Sequence, residues 1–391
     1  MTYGPLQLGL DQGFMQRALD LATQSTGLAS PNPLVGCIVV RNEIVLGEGS
    51  HFYDLRDHAE ITALKRAVAQ GHSAKGTTAY VTLEPCAHQG RTGPCADALI
   101  AAGIVRVVIA TIDPNAQVSG QGVARLRAAG IEVTVGVLQQ SARDLNDAFA
   151  RFIQHRLPFV TLKAALSVDG KLAPPQGDRL PGQPHWLTGT AARAEVQRMR
   201  HASDAILTGI GTVLADDPAL TERTGLARRR PLLRVILDTH LRTPLTAKLL
   251  KSASENKGDL LIFTSAEASI VRRSALEASG AEVVTIPMKN GQLSLSAVLK
   301  ELAERKILSV LLEAGFHLNG AFLNQDLVDK VVLFYSATEL GDAALPFAEG
   351  VPSPYLLEQS LERTTRSTFD SGDQQDACVT GYLHDPWPVS L

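Results

Sequence analysis

The sequence predicts two consecutive α/β domains, and three observations lead there. Short apolar runs alternate with segments of helical period along the chain, as in VGCIVV, the stretch Asp57–Gln70, TTAYVTLE and Ala96–Ala102. The length, 391 residues, exceeds one ordinary core and sets an expectation of about two to three domains. Finally, a polar helical segment between Leu145 and Arg156 gives way at Pro158 to a new apolar strand. The predicted boundaries are therefore residues 1–150 for the first domain and 157–391 for the second.

Each element has a local reason. Asp11–Thr26 places Phe14, Met15, Ala18, Leu19 and Ala22 on one helical face. VGCIVV is an apolar run of strand length, and EIVLGEG returns as its hairpin partner. Gly71, Gly103 and Gly130 close the helices Asp57–Gln70, Ala96–Ala102 and Gly122–Ala129. The strands VRVVIATI and IEVTVGV follow the last two. In the second domain LPFVTLKAALSVDG opens with a strand. Ala173–Pro184, with four prolines and two glycines, is expected to be irregular. A helix over Thr190–His201 follows, then the strands DAILTG, LRVILD and DLLIFTS, a helix ending near Gly280, and the strand AEVVTIP. A helix near Leu295–Arg305, the strand SVLLEAG, a short helix Leu318–Asn324 and the strand KVVLFYSA complete the core. The tail beyond about Ala343 receives no assignment.

Composition narrows the function. A net charge of −3 gives no global basic field for nucleic acid, and Arg228-Arg229-Arg230 reads as a solvated loop. Four cysteines in this length do not make a disulfide scaffold. No apolar run reaches about 18 residues, and the N-terminus lacks the pattern of a signal peptide, so the expectation is a soluble cytoplasmic protein, or a stromal one after loss of a transit peptide.

TLEPCAHQGRTGPCADAL carries two Pro-Cys pairs with eight residues between the cysteines, and His58-Ala59-Glu60 lies upstream. Hydrolytic deamination of an aromatic amidine carbon needs water activated at neutral pH, which Zn²⁺ achieves by lowering the water pKa to about 7. A catalytic zinc keeps three protein ligands and one open position. His58, Cys86 and Cys95 match that number, and Glu60 is the non-ligand carboxylate that moves the proton. Cys95 is expected to open a helix whose dipole favours its thiolate. Cys37, in an apolar strand, is expected in the core.

The whole string resembles the deaminase domain of the bifunctional riboflavin-biosynthesis deaminase/reductase family. SPNPLVGCIVV, EGSHFYDLRDHAE, TLEPCAHQGRTGPCADALI and DPNAQVSGQGVARLRAAGI match its blocks in order. The resemblance implies a cytidine-deaminase-like three-layer α/β/α domain with one zinc per chain. It places Asn32 near the pyrimidine, and His88 and Arg91 near the substrate and its phosphate.

In the second domain TGIGTVLADDPALTER contains Gly209-x-Gly211 without a third glycine, so it is a weak dinucleotide signal and alone reads as a loop. LLEAGFHLNGAFL is strand, glycine, helix, an arrangement able to receive phosphate. With LKAALSVDGKLA and HWLTG these segments resemble the reductase half of the same family, in order. That resemblance implies a dihydrofolate-reductase-like fold with NADPH as hydride donor. It assigns Lys163, Asp216 and Glu313 to the reductase centre and Leu166, Trp186, Thr212 and Asp216 to the cofactor. Gly315, Phe316, His317, Leu318, Asn319, Gly320 and Ala321 would wrap the cofactor phosphates. Arg200, Leu220, Arg223 and Glu313 would hold the substrate. Pro184 stands where the family often has a serine, which removes a hydroxyl from the substrate site.

The reading is therefore a two-step enzyme acting on a pyrimidine nucleotide, without nucleic-acid or membrane partners, and a homo-oligomer (dimer or tetramer) by resemblance. Three alternatives stay open at this level: a deaminase with a silent second domain, a nucleic-acid deaminase, and a non-enzymatic module with structural zinc.

Overall fold

The computed structural model describes residues 5–89, 93–179, 185–253 and 258–387. They divide into two compact units. The first runs to Arg156 and includes Ala227–Arg229 and Trp387; the second comprises Leu157–Leu226 and Arg230–Pro386.

The first unit contains α1 (Pro5–Thr23), β1 (Gly36–Arg41), β2 (Ile44–Ser50), α2 (Ala59–Ala69), β3 (Thr78–Leu83), α3 (Cys95–Ala101), β4 (Arg106–Thr111), α4 (Gln121–Ala128), β5 (Glu132–Val135), α5 (Gln139–Leu145) and α6 (Asp147–His155). Its sheet order is β2-β1-β3-β4-β5. The hairpin β1–β2 and the pair β1–β3 are antiparallel, while β3, β4 and β5 run parallel. Strand alternation sends Cys37, Val39, Val81 and Ile109 into one buried cluster, with Ala59, Ala63 and Leu99 of α2 and α3. Ile38, Val40, Tyr80 and Val108 enter the opposite cluster, with Met15 and Ala18 of α1. The unit is thus three-layered, and Cys37 lies in its core as expected.

A buried polar network ties α1 to the sheet. Arg106 donates to both oxygens of Asp11 at 2.8 and 2.7 Å, and the Tyr80 hydroxyl donates to Asp11 at 2.9 Å. Burial alone would raise the Asp11 pKa, but these bonds outweigh it and hold the carboxyl below its ordinary value.

The second unit contains β6 (Phe159–Leu166), β7 (Lys171–Ala173), α7 (Thr190–Ala202), β8 (Ala205–Gly209), α8 (Ile210–Asp216), β9 (Leu233–Leu237), α9 (Lys248–Ala253), β10 (Leu260–Thr264), α10 (Ile270–Ala278) and β11 (Glu282–Thr285). The short β12 (Met288–Lys289) and β13 (Gln292–Leu293) follow, then α11 (Leu295–Glu304), β14 (Ser309–Leu312), α12 (Phe316–Asn324), β15 (Lys330–Tyr335), β16 (Leu345–Pro346), α13 (Pro354–Gln359), β17 (Glu362–Asp370) and β18 (Gln375–Tyr382). Nine strands form one sheet in the order β11-β10-β9-β8-β14-β6-β15-β18-β17. The run from β11 to β15 is parallel, and β18 and β17 close it antiparallel.

Three sequence expectations change here. GIGTVLAD is the helix α8 rather than a loop, because Ile210 and Val213, three apart, bury one face. The irregular segment after Ala173 includes a 3₁₀ turn at Gln176–Asp178. The unassigned tail supplies α13, β17 and β18. β17 escapes a period-2 reading because it is an edge strand whose side chains are nearly all exposed or half-exposed.

Candidate active sites

His58 is the extended N-cap of α2, Cys86 follows β3, and Cys95 is the first residue of α3. Their ligand atoms all lie within 4.8 Å of one another. His58 Nδ1 is 3.2 Å from Cys95 Sγ and 3.6 Å from Cys86 Sγ. The edge of a tetrahedron with ordinary Zn–N and Zn–S bonds is about 3.5 Å, so these residues fit a zinc ion without rearrangement.

The charge distribution fits as well. The Cys95 thiol and amide, together with His58, draw Cys86 down to about 4. Cys95 is pushed up, first by the Cys86 thiolate it bonds, then by burial and Glu60. The helix N-terminus expected to favour a Cys95 thiolate therefore serves Cys86: the Cys95 amide donates to Cys86 Sγ at 3.3 Å. Two sulfurs share one proton that a dication replaces. Glu60, one residue past the start of α2, is 3% exposed, and burial pushes its carboxyl up to about 7. A carboxyl poised there can both take and return a proton near neutral pH.

The loop beneath the cysteines is held from inside. Glu84, of the Thr82–Cys86 stretch, accepts from the amides of Asp113, Gly120 and Val123 at 3.2, 2.9 and 3.0 Å. Gly122 has no alternative: an added Cβ would stand 2.0 Å from the Pro85 carbonyl oxygen. Asn32 lies beside His51, with Nδ2 2.8 Å from His51 Nε2. His51 Nδ1 faces the Asp57 carbonyl oxygen at 2.8 Å, so it donates and Nε2 accepts from Asn32. The His51 ring packs edge-on against His58 at 5.3 Å. Sequence reasoning passed over His51, although it stands seven residues before His58 in the block already singled out. His88 is exposed, and Arg91 lies outside the described residues. Arg229, expected in a solvated loop, belongs to this unit: it donates to the Ser30 carbonyl at 2.9 Å and covers the Tyr53 ring at 4.2 Å.

The second site forms at the C-terminal ends of the parallel strands. Alternation along β6 sends Leu162 and Ala164 into one core face and Lys163 to the other, toward Val332 and Phe334. The Lys163 ammonium stands 5.9 Å over the Phe334 ring, and burial lowers its pKa while Glu313 opposes the fall. Glu313, just past β14, receives Arg200 Nε at 2.7 Å and Nη2 at 2.9 Å. Burial would raise Glu313, yet the Arg200 charge and bonds keep it low. Arg200 also donates to the Thr221 carbonyl at 2.9 Å. Its fork is thus turned to Glu313 and the loop rather than presented as a free phosphate clamp.

Two helix N-termini meet beside this trio. Gly209 caps α8 and Gly315 caps α12, both extended and without a side-chain cap bond. A Cβ on Gly315 would lie 3.7 Å from Thr212 Oγ1, so these two predicted cofactor residues adjoin. First-turn amides there suit phosphate, and the ends of parallel strands suit a dinucleotide. Within α12 the predicted residues separate. Asn319 is fully buried and donates to the Phe347 carbonyl at 3.1 Å, and a Cβ on Gly320 would meet the Glu349 oxygen at 2.3 Å. His317 turns outward to Glu349 at 3.0 Å. Phe316, Leu318 and Ala321 are half-buried, as is Thr212.

Asp216 ends α8, its pKa raised by burial against the opposing charge of Arg179. Leu220 packs into the apolar cluster with Ile210 and Val213, so its side chain serves the core, whereas Arg223 is exposed. Leu166 is fully buried at the end of β6. Trp186 is 62% exposed with Arg193 5.3 Å from its ring, which removes core packing as its role. Pro184 lies outside the described residues. The tail matters here: Asp376 and Ser371 accept from Gly189 and Ala191 at 2.7 and 3.0 Å, capping the helix that carries Arg200.

The geometry defines a zinc deaminase unit joined to a dinucleotide-dependent reductase unit. Residues 9–111 match the cytidine and deoxycytidylate deaminase zinc-binding region, and 158–369 match the RibD C-terminal domain. The riboflavin biosynthesis protein RibD of Bacillus amyloliquefaciens is 40% identical over 86% of this chain and 87% of that one. A solved RibD structure from Acinetobacter baumannii has a TM-score of 0.79 at 38% identity, covering 96% of this chain and 99% of that one. The Thermotoga maritima diaminohydroxyphosphoribosylaminopyrimidine deaminase/5-amino-6-(5-phosphoribosylamino)uracil reductase has the same TM-score at 33% identity, again covering 96% and 99%. The chain belongs to the RibD family. It is a bifunctional deaminase and reductase of riboflavin biosynthesis, with zinc in a cytidine-deaminase-like unit and NADPH in a dihydrofolate-reductase-like one. No helix among the described residues is long and apolar enough to cross a membrane.

Proposed function

We propose that residues 1–150 deaminate a 2,5-diamino-6-ribosylamino-4(3H)-pyrimidinone 5′-phosphate and that residues 157–391 reduce the product to 5-amino-6-ribitylaminouracil 5′-phosphate. The observation that carries this reading is the buried Glu60 carboxyl beside a three-ligand His58–Cys86–Cys95 set. That set leaves one position open, as a hydrolytic centre requires and a closed structural site does not. When bound, zinc supplies an activated water and NADPH a hydride.

Glu60 takes the water's proton and hands it to the leaving nitrogen, so that ammonia departs and a carbonyl remains. Asn32, fixed by His51, orients the pyrimidine, and His88 with Arg91 meets the phosphate end. In the second unit reduction at C1′ breaks the bond from C1′ to the ring oxygen. That oxygen needs a proton, for which Lys163 and Asp216 are the candidates. Glu313, paired with Arg200, balances Lys163. Thr212, Gly315 and the following turn hold the cofactor, with Trp186 at its border. Arg223, exposed after α8, meets the substrate phosphate. The same reading makes the chain a cytoplasmic homo-oligomer, dimer or tetramer; this rests on the family.

The test follows ammonia release and NADPH oxidation in one tube of zinc-replete protein given the diaminopyrimidine nucleotide. Both signals are expected, with oxidation lagging ammonia. Ammonia without oxidation would mean a silent second unit, with Pro184 the first suspect. Neither signal would overturn the substrate assignment.

A further inference from the structure

We infer that Arg234, on β9 and not among the residues assigned above, is a positioning residue for the reduction. The inference rests on the reading that Asp216 and Arg223 border the reductase site. Arg234 is 1% exposed and among the largest fully buried side chains of the chain. Its Nη1 donates to three acceptors: the Ala219 carbonyl at 3.1 Å, the Leu249 carbonyl at 3.0 Å and the Ser252 hydroxyl at 2.6 Å. Nη2 donates to Asp259 at 2.6 Å, and the Arg234 amide donates to the Asp259 carbonyl at 2.7 Å. One guanidinium therefore joins the loop after α8, the helix α9 and the approach to β10.

Holding α9 and β10 on the sheet does not need a charge. The surrounding cluster of Ile236, Leu249, Leu250 and Ile262 is apolar, and a buried ion pair is often no better for stability than hydrophobic residues of similar volume. What an apolar side chain could not do is grip the Ala219 carbonyl. That carbonyl sits in a segment whose backbone needs restraint: Asp217 and Leu220 both adopt positive φ, +42° and +53°, which non-glycine residues rarely hold unaided.

The segment is pinned at every second residue. The Asp217 carboxylate accepts from the Lys248 amide at 2.9 Å, the Thr221 carbonyl from Arg200 at 2.9 Å, and the Arg223 amide donates to Gln197 at 3.0 Å. Arg234 supplies the anchor at 219 from within the core. Asp216 lies just before the pinned stretch and Arg223 at its far end, so slack at Ala219 displaces both. A shift of about 1 Å in a positioning element costs up to about 100-fold in rate.

The experiment measures kcat and KM for NADPH-dependent reduction of the deaminated nucleotide in Arg234→Lys, Arg234→Met and Asp259→Asn, with ammonia release and thermal melting on the same preparations. A lysine keeps the charge but lacks the planar fork that reaches several acceptors. Arg234→Lys and Arg234→Met are expected to raise KM for the nucleotide about tenfold or more and lower kcat/KM by about 10- to 100-fold. Asp259→Asn is expected to give a smaller rise, and ammonia release should stay unchanged in all three. A folded variant at position 234 with unaltered KM would overturn the inference, even if kcat falls, because a purely structural role lowers the active fraction and leaves KM alone. Should neither 234 variant fold, an unaltered KM in Asp259→Asn overturns it. Asp216→Asn separates the two levels. If it leaves reduction intact, the site reading itself fails; if it impairs reduction while Arg234→Lys does not, only the positioning role falls.

Discussion

In the first unit the ligands come from one continuous stretch between α2 and α3, whereas in the second unit Lys163, Arg200 and Glu313 come from β6, α7 and the end of β14. The first site is held together by sequence neighbours and completed by an ion. The second exists only because nine strands line up in the order β8-β14-β6-β15 at its centre. The electrostatics differ accordingly. Around the zinc site the Cys86 thiolate, with His58, Cys95 and Glu60 close by, awaits a dication. In the reductase site Glu313 is already paired with Arg200, and burial lowers the Lys163 pKa while Glu313 opposes the fall. A metal site can be built from a motif, while a hydride-transfer site is a shaped crevice assembled from several strands and helices.

The largest effect that sharpens this contrast is expected at Glu60. Glu60→Gln should lower ammonia release by about 10³-fold while zinc content, read by metal analysis, stays at one ion per chain. NADPH oxidation with the deaminated nucleotide should be untouched. Loss of zinc with ammonia release intact would break the assignment of Glu60 as the proton carrier. Next in size, Lys163→Ala should reduce NADPH oxidation by about 100-fold with ammonia release unchanged, measured in the same paired assay. An equal fall in both activities would contradict two independent sites.

The smallest effect concerns scaffold rather than chemistry. Asp11→Asn removes the buried carboxylate that Arg106 grips, while Glu132 stays 3.2 Å from Arg106 Nε, and should cost about 2 kcal/mol at neutral pH, read from denaturant melts of the first unit's signal. The sign follows from the lowered Asp11 pKa. Its contribution is full above the ordinary value of 3.8 and is lost as pH falls through the lower folded-state value. Wild type and variant should therefore converge in strongly acidic buffer. A stability gap that persists there would show that the carboxylate charge is not what holds α1 to the sheet.

Most of the parallel core was legible because its strands are apolar on both faces. LRVILD, DLLIFTS and KVVLFYSA could hardly be anything else. The zinc residues were legible because ligand chemistry restricts residue type as well as spacing. His51 was not, since a lone histidine carries no signal until its ring is seen against His58. Arg200 was legible as a charge, but its pairing with Glu313 was not. A sequence states that a guanidinium is present and not that Glu313, more than a hundred residues away, claims it. Within LLEAGFHLNGAFL the residues divide in a way the motif does not show: Gly315 adjoins Thr212, whereas Asn319 and Gly320 pack against Phe347 and Glu349.

By itself, then, the sequence determined the layered α/β class, the His/Cys/Cys zinc set and the family, because these depend on residue type and on spacing along one chain. Tertiary structure alone decided that the tail returns as β18 and β17 to cap α7, that Lys163 faces Arg200 and Glu313, and that Arg234 reaches the loop after α8. Those relations depend on which strands neighbour one another, and strand order is set by packing the whole sheet rather than by any local run of residues.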